Sequence, residues 1–415
     1  MNIGIFFTAT EACGGVYQYS LTMLDCLRRY DREHTYYVFY SNPDFPYPDF
    51  EDSNWKTIPM NSVGGALQGG IVQRGGTYIV KSVGKAIRLI CRFGLIDPYR
   101  VRLNRPVYHK LKRYNIDLMI YPAPIAASFE AGIPYIIAIH DLQHRLQPEF
   151  PEVSAHGRWR SREYLLGNAT KYTLAILVDS ETGREDLIKA YNVPPEAVKV
   201  LPFLPPRYLA IPDEWEREVV KRKYNLPDRY IFYPAQFWSH KNDARLVEAL
   251  HLIKGKWNIE IPCVFVGSKK GAFEEVMGLV QRLGMQNQVM YLGYVPHEDM
   301  AALYSLATAL VMPTFFGPTN IPILEAFALS CPVVTSDVRG IREQVGDAGL
   351  LVDPRSVQDI ATAIYRVWTD DELRQTLIQK AKKRIKDYTR DDYSEILLSI
   401  IRECQLKLAK TGVSL

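Results

Sequence analysis

Glu325 ends the run Pro313-Thr-Phe-Phe-Gly317-Pro-Thr319-Asn320-Ile321-Pro-Ile-Leu-Glu325, which follows the apolar strand pattern Ala309-Leu-Val-Met312 and opens into a helix. At such a strand-to-helix passage the backbone N–H groups of Asn320 and Ile321 are expected to face outward beside the helix dipole, a geometry that receives anions. One carboxylate a turn further on, Glu325, accepts hydrogen bonds from paired hydroxyls such as those of a ribose. Phosphate and ribose together point to a nucleotide.

A cation for the same ligand stands in Tyr233-Pro-Ala235-Gln236-Phe-Trp-Ser239-His240-Lys241-Asn242. A lysine at the mouth of a strand can hold a diphosphate as a point charge, each charge-assisted bond contributing roughly 1.5–3 kcal/mol. Another strand ends in Ile139-His140-Asp141-Leu142-Gln143-His144. Ligands of open α/β sheets bind beyond the carboxyl ends of strands, so His140 and Asp141 are expected to face a cleft. The first βα turn reads Thr8-Ala-Thr-Glu-Ala-Cys13-Gly14-Gly15-Val16, in which two glycines let a ligand approach the backbone of a helix start. Val264-Phe-Val-Gly267-Ser268 and Leu292-Gly293-Tyr294-Val295-Pro296 are two more strand-end loops suited to a nucleotide.

These residues need a frame of alternating strands and helices. Apolar, β-rich runs fall at Ile3–Thr8, Tyr36–Tyr40, Leu118–Tyr121, Tyr135–Ile139, Ala175–Val178 and Val198–Leu201. They resume at Tyr230–Pro234, Pro262–Val266, Val289–Leu292, Ala309–Met312 and Val333–Thr335. Helical patterns lie between them, which predicts α/β architecture with parallel sheets covered on both faces. The proline-dense segment Pro202-Phe-Leu-Pro-Pro206 through Ile211-Pro212 interrupts both periodicities and marks a linker. The expected division is a domain over 1–205 and a domain over 206–388. A chain of 415 residues with 47% apolar and 23% charged residues is large enough to give each its own core.

The glutamate run, continued by Pro332-Val-Val-Thr-Ser336 and Gly349-Leu-Leu-Val-Asp353-Pro354, resembles the nucleotide-sugar signature of retaining glycosyltransferases of family 4. That resemblance implies the GT-B fold, two Rossmann-like domains facing an interdomain cleft. It also implies that a last helix, within 389–415, packs back onto the first domain. Glu325 matches the second glutamate of the family's Glu-x7-Glu pattern, and Gly317 occupies the place of the first, which in the family contacts the donor sugar. Ala235-Gln236 stand where the family usually has Gly-Arg, and Lys241 matches the family's lysine.

The resemblance makes His140, Asp141, Lys241 and Glu325 the expected catalytic residues. Gly14, Gly15, Gln236, Gly267, Tyr294, Val295, Gly317, Thr319, Asn320 and Ile321 complete the expected donor site, with backbone groups of Tyr294 and Val295 reading the base. It implies transfer of a hexose from a UDP- or GDP-sugar to a hydroxyl acceptor, a lipid-linked saccharide or polysaccharide, with retention, no metal and no other cofactor. The alternatives are a nucleotide-sugar epimerase of the same fold and a non-catalytic nucleotide-sugar-binding protein, the latter because Gly317 and Gln236 depart from pattern. A pyridoxal-dependent phosphorylase is disfavoured by the short chain.

Neither GxxxxGK[ST] nor GxGxxG follows a strand, which removes the usual signatures of P-loop NTPases and dinucleotide-dependent dehydrogenases. The six cysteines, Cys13, Cys26, Cys91, Cys263, Cys331 and Cys404, form no CxxC and suit reduced thiols in a cytoplasm. No run of eighteen apolar residues spans a bilayer, and the N-terminus lacks a basic leader with a cleavage site. Residues 71–114, however, hold 11 Lys and Arg against a single acidic residue, interleaved with Ile79, Val83, Ile87, Ile90 and Phe93 at helical spacing. A basic amphipathic surface of this kind attracts anionic lipid headgroups, so peripheral contact with the inner face of a membrane is expected. Nucleic acid is not, since no binding motif accompanies the charge.

Overall fold

The computed structural model describes residues 1–11, 14–41, 45–46, 54–60, 101–206 and 208–411. Most of the basic stretch, together with Cys13 and Cys91, lies outside the described residues. Its end contributes the helix Arg105–Lys112, capped by the Asn104 side chain, with Pro106 in the first turn.

Seven strands build the first sheet: β1 (Asn2–Phe7), β2 (Thr35–Tyr40), β3 (Trp55–Pro59), β4 (Leu118–Tyr121), β5 (Tyr135–Ala138), β6 (Ala175–Val178) and β7 (Val198–Val200). They lie in the order β3-β2-β1-β4-β5-β6-β7, and every pairing is parallel. Six more build the second: β8 (Ile231–Pro234), β9 (Cys263–Val266), β10 (Val289–Tyr291), β11 (Ala309–Met312), β12 (Val333–Ser336) and β13 (Leu350–Val352). Their order is β10-β9-β8-β11-β12-β13, again parallel throughout. In each sheet the strand order reverses beside the first strand, which is the Rossmann pattern and creates a crevice at that switch point.

The central strands are buried at every position because helices cover both faces, and this is why they read as unbroken apolar runs such as Leu118-Met-Ile-Tyr121. On the first sheet, one core packs β1 and the helix Gly15–Tyr30 against Tyr393, Leu397, Ile400, Ile401 and Cys404. Those five belong to the last helix, Arg390–Thr411, so the end of the chain covers the sheet that begins it. A separate core fills the opposite face around Val107, Leu111 and Leu166. The second sheet carries its own cluster, from Val220 to Ala381.

Two strands and two helices are among the elements that depart from the expectation. β3 and β13 are edge strands of five and three residues, and Lys56, Pro59 and Asp353 dilute the apolar signal within or beside them. Helix Glu214–Lys223 starts on a complete capping box, with the Asp213 side chain accepting from Glu216 N and the Glu216 side chain accepting from Asp213 N. The Asp-x-x-Glu signal is present in the sequence, but the prolines before it mask the helix start. Helix Arg339–Val345 was likewise not expected from a run of only seven residues.

Candidate functional site

The two switch points face one another. Between them lies a cleft of about 770 Å³, lined by Gly14, Gly15 and Gln18 from the first domain and by Gln236, Gly267, Tyr294, Val295, His297, Ile321 and Glu325 from the second. Tyr208, from the connecting segment, completes the wall. Eight of the expected site residues therefore share one cavity.

Glycine shapes it at two points. Gly14 has φ +57°, a left-handed conformation that ends the β1 loop, and a Cβ on Gly15 would stand 3.3 Å from the Ile321 side chain of the opposite domain. Gly267 has φ +144°, and a Cβ there would fall 2.2 Å from the Ala235 carbonyl oxygen. The β8 and β9 loops meet backbone to backbone, which only glycine permits.

Glu325 sits in the helix Ile321–Ala328 and is only 6% exposed. The Tyr208 hydroxyl donates to its Oε1 at 2.6 Å, and the Tyr304 hydroxyl donates to its Oε2. Burial raises its pKa above the ordinary carboxylate range, while the two phenols and the nearby His297 act in the opposite direction. Each carboxylate oxygen has a further lone pair with which to accept a ligand hydroxyl. The ring of His297 lies 4.8 Å from that of Tyr208, and its Nε2 is 3.3 Å from Gln18 Nε2 across the cleft. Tyr294 also reaches across, donating to Glu11 at 3.3 Å.

On the β8 loop, the Trp238 indole N–H donates to Gln236 Oε1 at 3.0 Å and orients that amide. Lys241 ends the 3₁₀ turn Ser239–Lys241, and its carbonyl accepts from the Tyr233 hydroxyl at 2.6 Å. Burial lowers the ammonium to about 8, opposed by the charge of Asp243. Asp243 itself is pushed up to about 7 by burial, against its own backbone N–H and Lys241. Lys241 is not among the residues lining the 770 Å³ cleft.

His140, Asp141 and Gly317 are brought together in a neighbouring cavity of about 240 Å³. His140 Nε2 donates to the Pro122 carbonyl at 2.8 Å and its ring packs edge-on against Tyr19, 4.8 Å away. Burial depresses its pKa, so the imidazole is neutral near pH 7. Asp141, which lines this cavity, is also paired with the Arg162 guanidinium and accepts the Gln143 N–H at 2.9 Å. Gln143 in turn donates to the Gly317 carbonyl at 2.9 Å, tying the two domains at the position of the missing glutamate.

The expectation for Asn320 is corrected. Its N–H does not face outward, because Gln344 Oε1 accepts it at 2.9 Å while Gln344 Nε2 donates to the Asn320 carbonyl at 2.9 Å. A side-chain amide from helix Arg339–Val345 thus caps the backbone expected to receive phosphate. Thr319 also turns away, its hydroxyl donating to the buried Asp179 of the first domain beside a third cavity of about 380 Å³.

Tyr208, Tyr304, Gln18 and His297 are functional candidates that sequence reasoning did not select. Gln18 is one helical turn beyond Gly14, a spacing that places it over the same loop. No local pattern marks the others. Among the described residues no group of three His, Cys, Asp or Glu side chains is gathered for a metal, and no helix is long and apolar enough to cross a membrane.

Two parallel Rossmann-like sheets whose switch points open into a shared cleft define the GT-B fold. Solved structures agree. Sucrose-phosphate synthase from Thermosynechococcus elongatus superposes with a TM-score of 0.72 at 18% identity over 98% of this chain and 99% of that one. HepE of Anabaena, solved in complex with UDP and glucose, superposes with a TM-score of 0.67 at 18% identity over 98% and 99%. Residues 216–384, which hold the second sheet with its helices, match the model of glycosyl transferases group 1. An O-antigen chain mannosyltransferase B of Escherichia coli is 29% identical over 240 residues, 58% of this chain and 63% of that relative's own length.

Proposed function

We propose that the protein is a retaining hexosyltransferase, similar to family 4, that transfers a sugar from a UDP- or GDP-sugar to a hydroxyl acceptor. The observation that carries this reading is the shared cleft. Gly14 and Gly15 from one switch point and Gln236, Gly267 and Glu325 from the other surround a volume suited to a nucleotide sugar. Glu325 takes the ribose hydroxyls, and the Tyr294–Val295 turn borders the base. Negative charge builds on the leaving diphosphate in the transition state. Its stabilisation falls to Lys241, the Gln236 amide and the backbone N–H groups at Gly14 and Gly15, with no metal required. His140, neutral and fixed by Pro122, presents its ring at the acceptor side. Retention then follows from a same-face route in which the departing phosphate helps remove the acceptor proton.

The acceptor proposed is a lipid-linked saccharide or a growing polysaccharide, in keeping with the O-antigen mannosyltransferase relative. The protein would then work in the cytoplasm, peripheral to the inner face of a membrane. Residues 71–114 supply 11 basic side chains for an anionic surface. A thermal-shift panel of activated sugars tests the donor assignment, since a tight ligand raises the unfolding temperature by mass action. A shift with a UDP- or GDP-sugar, followed by sugar release onto an acceptor extract, is the expected result. A panel without any shift would overturn the reading.

A further inference from the structure

A carboxylate of the first domain docks on the very turn that carries Lys241. Glu152 lies in the short helix Pro151–Ser154, and its Oε1 accepts the His240 backbone N–H at 2.9 Å. His240 Nδ1, 2.5 Å from the same oxygen, donates to it as well. Both side chains are nearly sealed from solvent, 7% exposed for Glu152 and 11% for His240. The imidazole lies flat on Phe316, with ring centroids 3.8 Å apart and planes 7° from parallel. Phe150 meets Phe316 edge-on at 5.2 Å.

The turn is tethered on all sides. The His240 carbonyl accepts the Phe315 N–H at 2.8 Å and the Thr314 hydroxyl at 3.1 Å. Asn242, immediately after Lys241, donates through its amide to the Pro313 carbonyl at 2.8 Å and the Pro354 carbonyl at 2.7 Å. All of these partners belong to the second domain. Glu152 differs in crossing the cleft. A carboxylate accepting two N–H bonds out of water is a strong contact, and parting the domains would return it to solvent.

We propose that Glu152 is a positioning residue: it locks the His240–Lys241 turn when the two domains close, so that the lysine is set for the diphosphate in step with delivery of the acceptor domain. This rests on the glycosyltransferase reading. Nucleotide binding by the second domain survives without Glu152, because the other tethers remain. What is lost is the coupling of closure to the geometry of the turn. The defect therefore falls on kcat and leaves donor KM nearly intact.

The test uses the full chain with Glu152→Ala and Glu152→Gln, the glutamine oxygen being able to accept the same two donors. Expected for Glu152→Ala is a fall in kcat of about tenfold or more. The donor KM, and the Kd for UDP or GDP by calorimetry, should stay within about threefold. Glu152→Gln should recover most of the loss. Small-angle scattering with nucleotide should show a compact particle for wild type and Glu152→Gln and a more open one for Glu152→Ala. Unchanged kcat in Glu152→Ala, or equal losses in both variants alongside equal falls in melting temperature, would overturn the proposal. Should wild type transfer no sugar, the enzymatic reading fails by itself, and scattering still decides the latch: three identical particles would overturn it.

Discussion

The hydroxyl of Tyr208, on the segment that joins the two sheets, donates a 2.6 Å hydrogen bond to Glu325, the carboxylate proposed to hold a ribose. With Tyr304 on the other oxygen, the carboxylate is gripped from both sides in a buried setting that favours its protonation. The phenols offset that tendency and aim the group at the cleft. Removing Tyr208's hydroxyl deletes a bond to a charged group, typically about 1.5–3 kcal/mol. Tyr208→Phe should weaken UDP or GDP binding about tenfold by calorimetry at pH 7.

The same pair sets a pH dependence. Ribose hydroxyls donate to the ionised form of Glu325, so nucleotide affinity should fall as pH drops through its raised pKa. In Tyr208→Phe one stabilising donor is gone, the pKa moves higher still, and the acid limb should shift to higher pH. Glu325→Gln should bind weakly and lack that limb. An affinity profile across the acid and neutral range for the three proteins separates these outcomes.

On the alkaline side the proposed governing group is Lys241. Burial lowers its ammonium to about 8, so it is charged below that pH and loses its proton above it. A diphosphate needs the charged form. In the free protein, kcat/KM for donor should decline as pH rises past about 8. Lys241→Ala should cost at least about tenfold in kcat/KM at neutral pH and flatten the alkaline decline. A variant with unchanged transfer and unchanged nucleotide affinity would remove Lys241 from the site.

Gly267→Ala tests how tightly the β8 and β9 loops are built. The new Cβ would be forced to within 2.2 Å of Ala235 O at a φ of +144°. Neither backbone can yield without moving Gln236. The expected loss of stability is about 2 kcal/mol or more in denaturant unfolding, with donor affinity falling further than stability alone explains. A variant as stable as wild type would show that the loops adapt.

The alternation of apolar strands and helices was readable because central parallel strands are buried on both faces and leave continuous runs, as in β4, β6 and β11. The edge strands β3 and β13 face water along one side, so Lys56 and the flanking Asp353 interrupt the same signal. Gly14, Gln236 and Gly267 could be placed at the cleft because a switch-point loop announces itself by glycine and polar residues after a strand, and Glu325 because it stands in the first turns of the helix that follows β11. Tyr208 and Tyr304 were not, since 117 and 21 positions separate them from Glu325 and nothing local distinguishes them from core tyrosines. Long-range satisfaction also explains Asn320: its N–H looked available until Gln344, 24 residues later, folded over it.

Asp141 is a residue whose type promised chemistry and whose carboxylate also has partners within the protein. Its carboxylate is paired with Arg162 and accepts the Gln143 N–H, and Gln143 carries the bond onward to Gly317. Asn at this position keeps an oxygen for the Gln143 N–H and gives up only the charge. Both side chains of the ion pair are about a third exposed, so solvent screening limits its worth to about 1 kcal/mol. Asp141→Asn should therefore retain transfer within about fivefold and unfold only slightly earlier, and Asp141→Asn combined with Arg162→Ala should cost less than the sum of the two. His140→Ala, which empties the ring position between Tyr19 and Phe203, should reduce kcat far more than either. If Asp141→Asn instead matches His140→Ala in kcat while melting like wild type, the carboxylate acts on the substrate and its pairing with Arg162 is incidental.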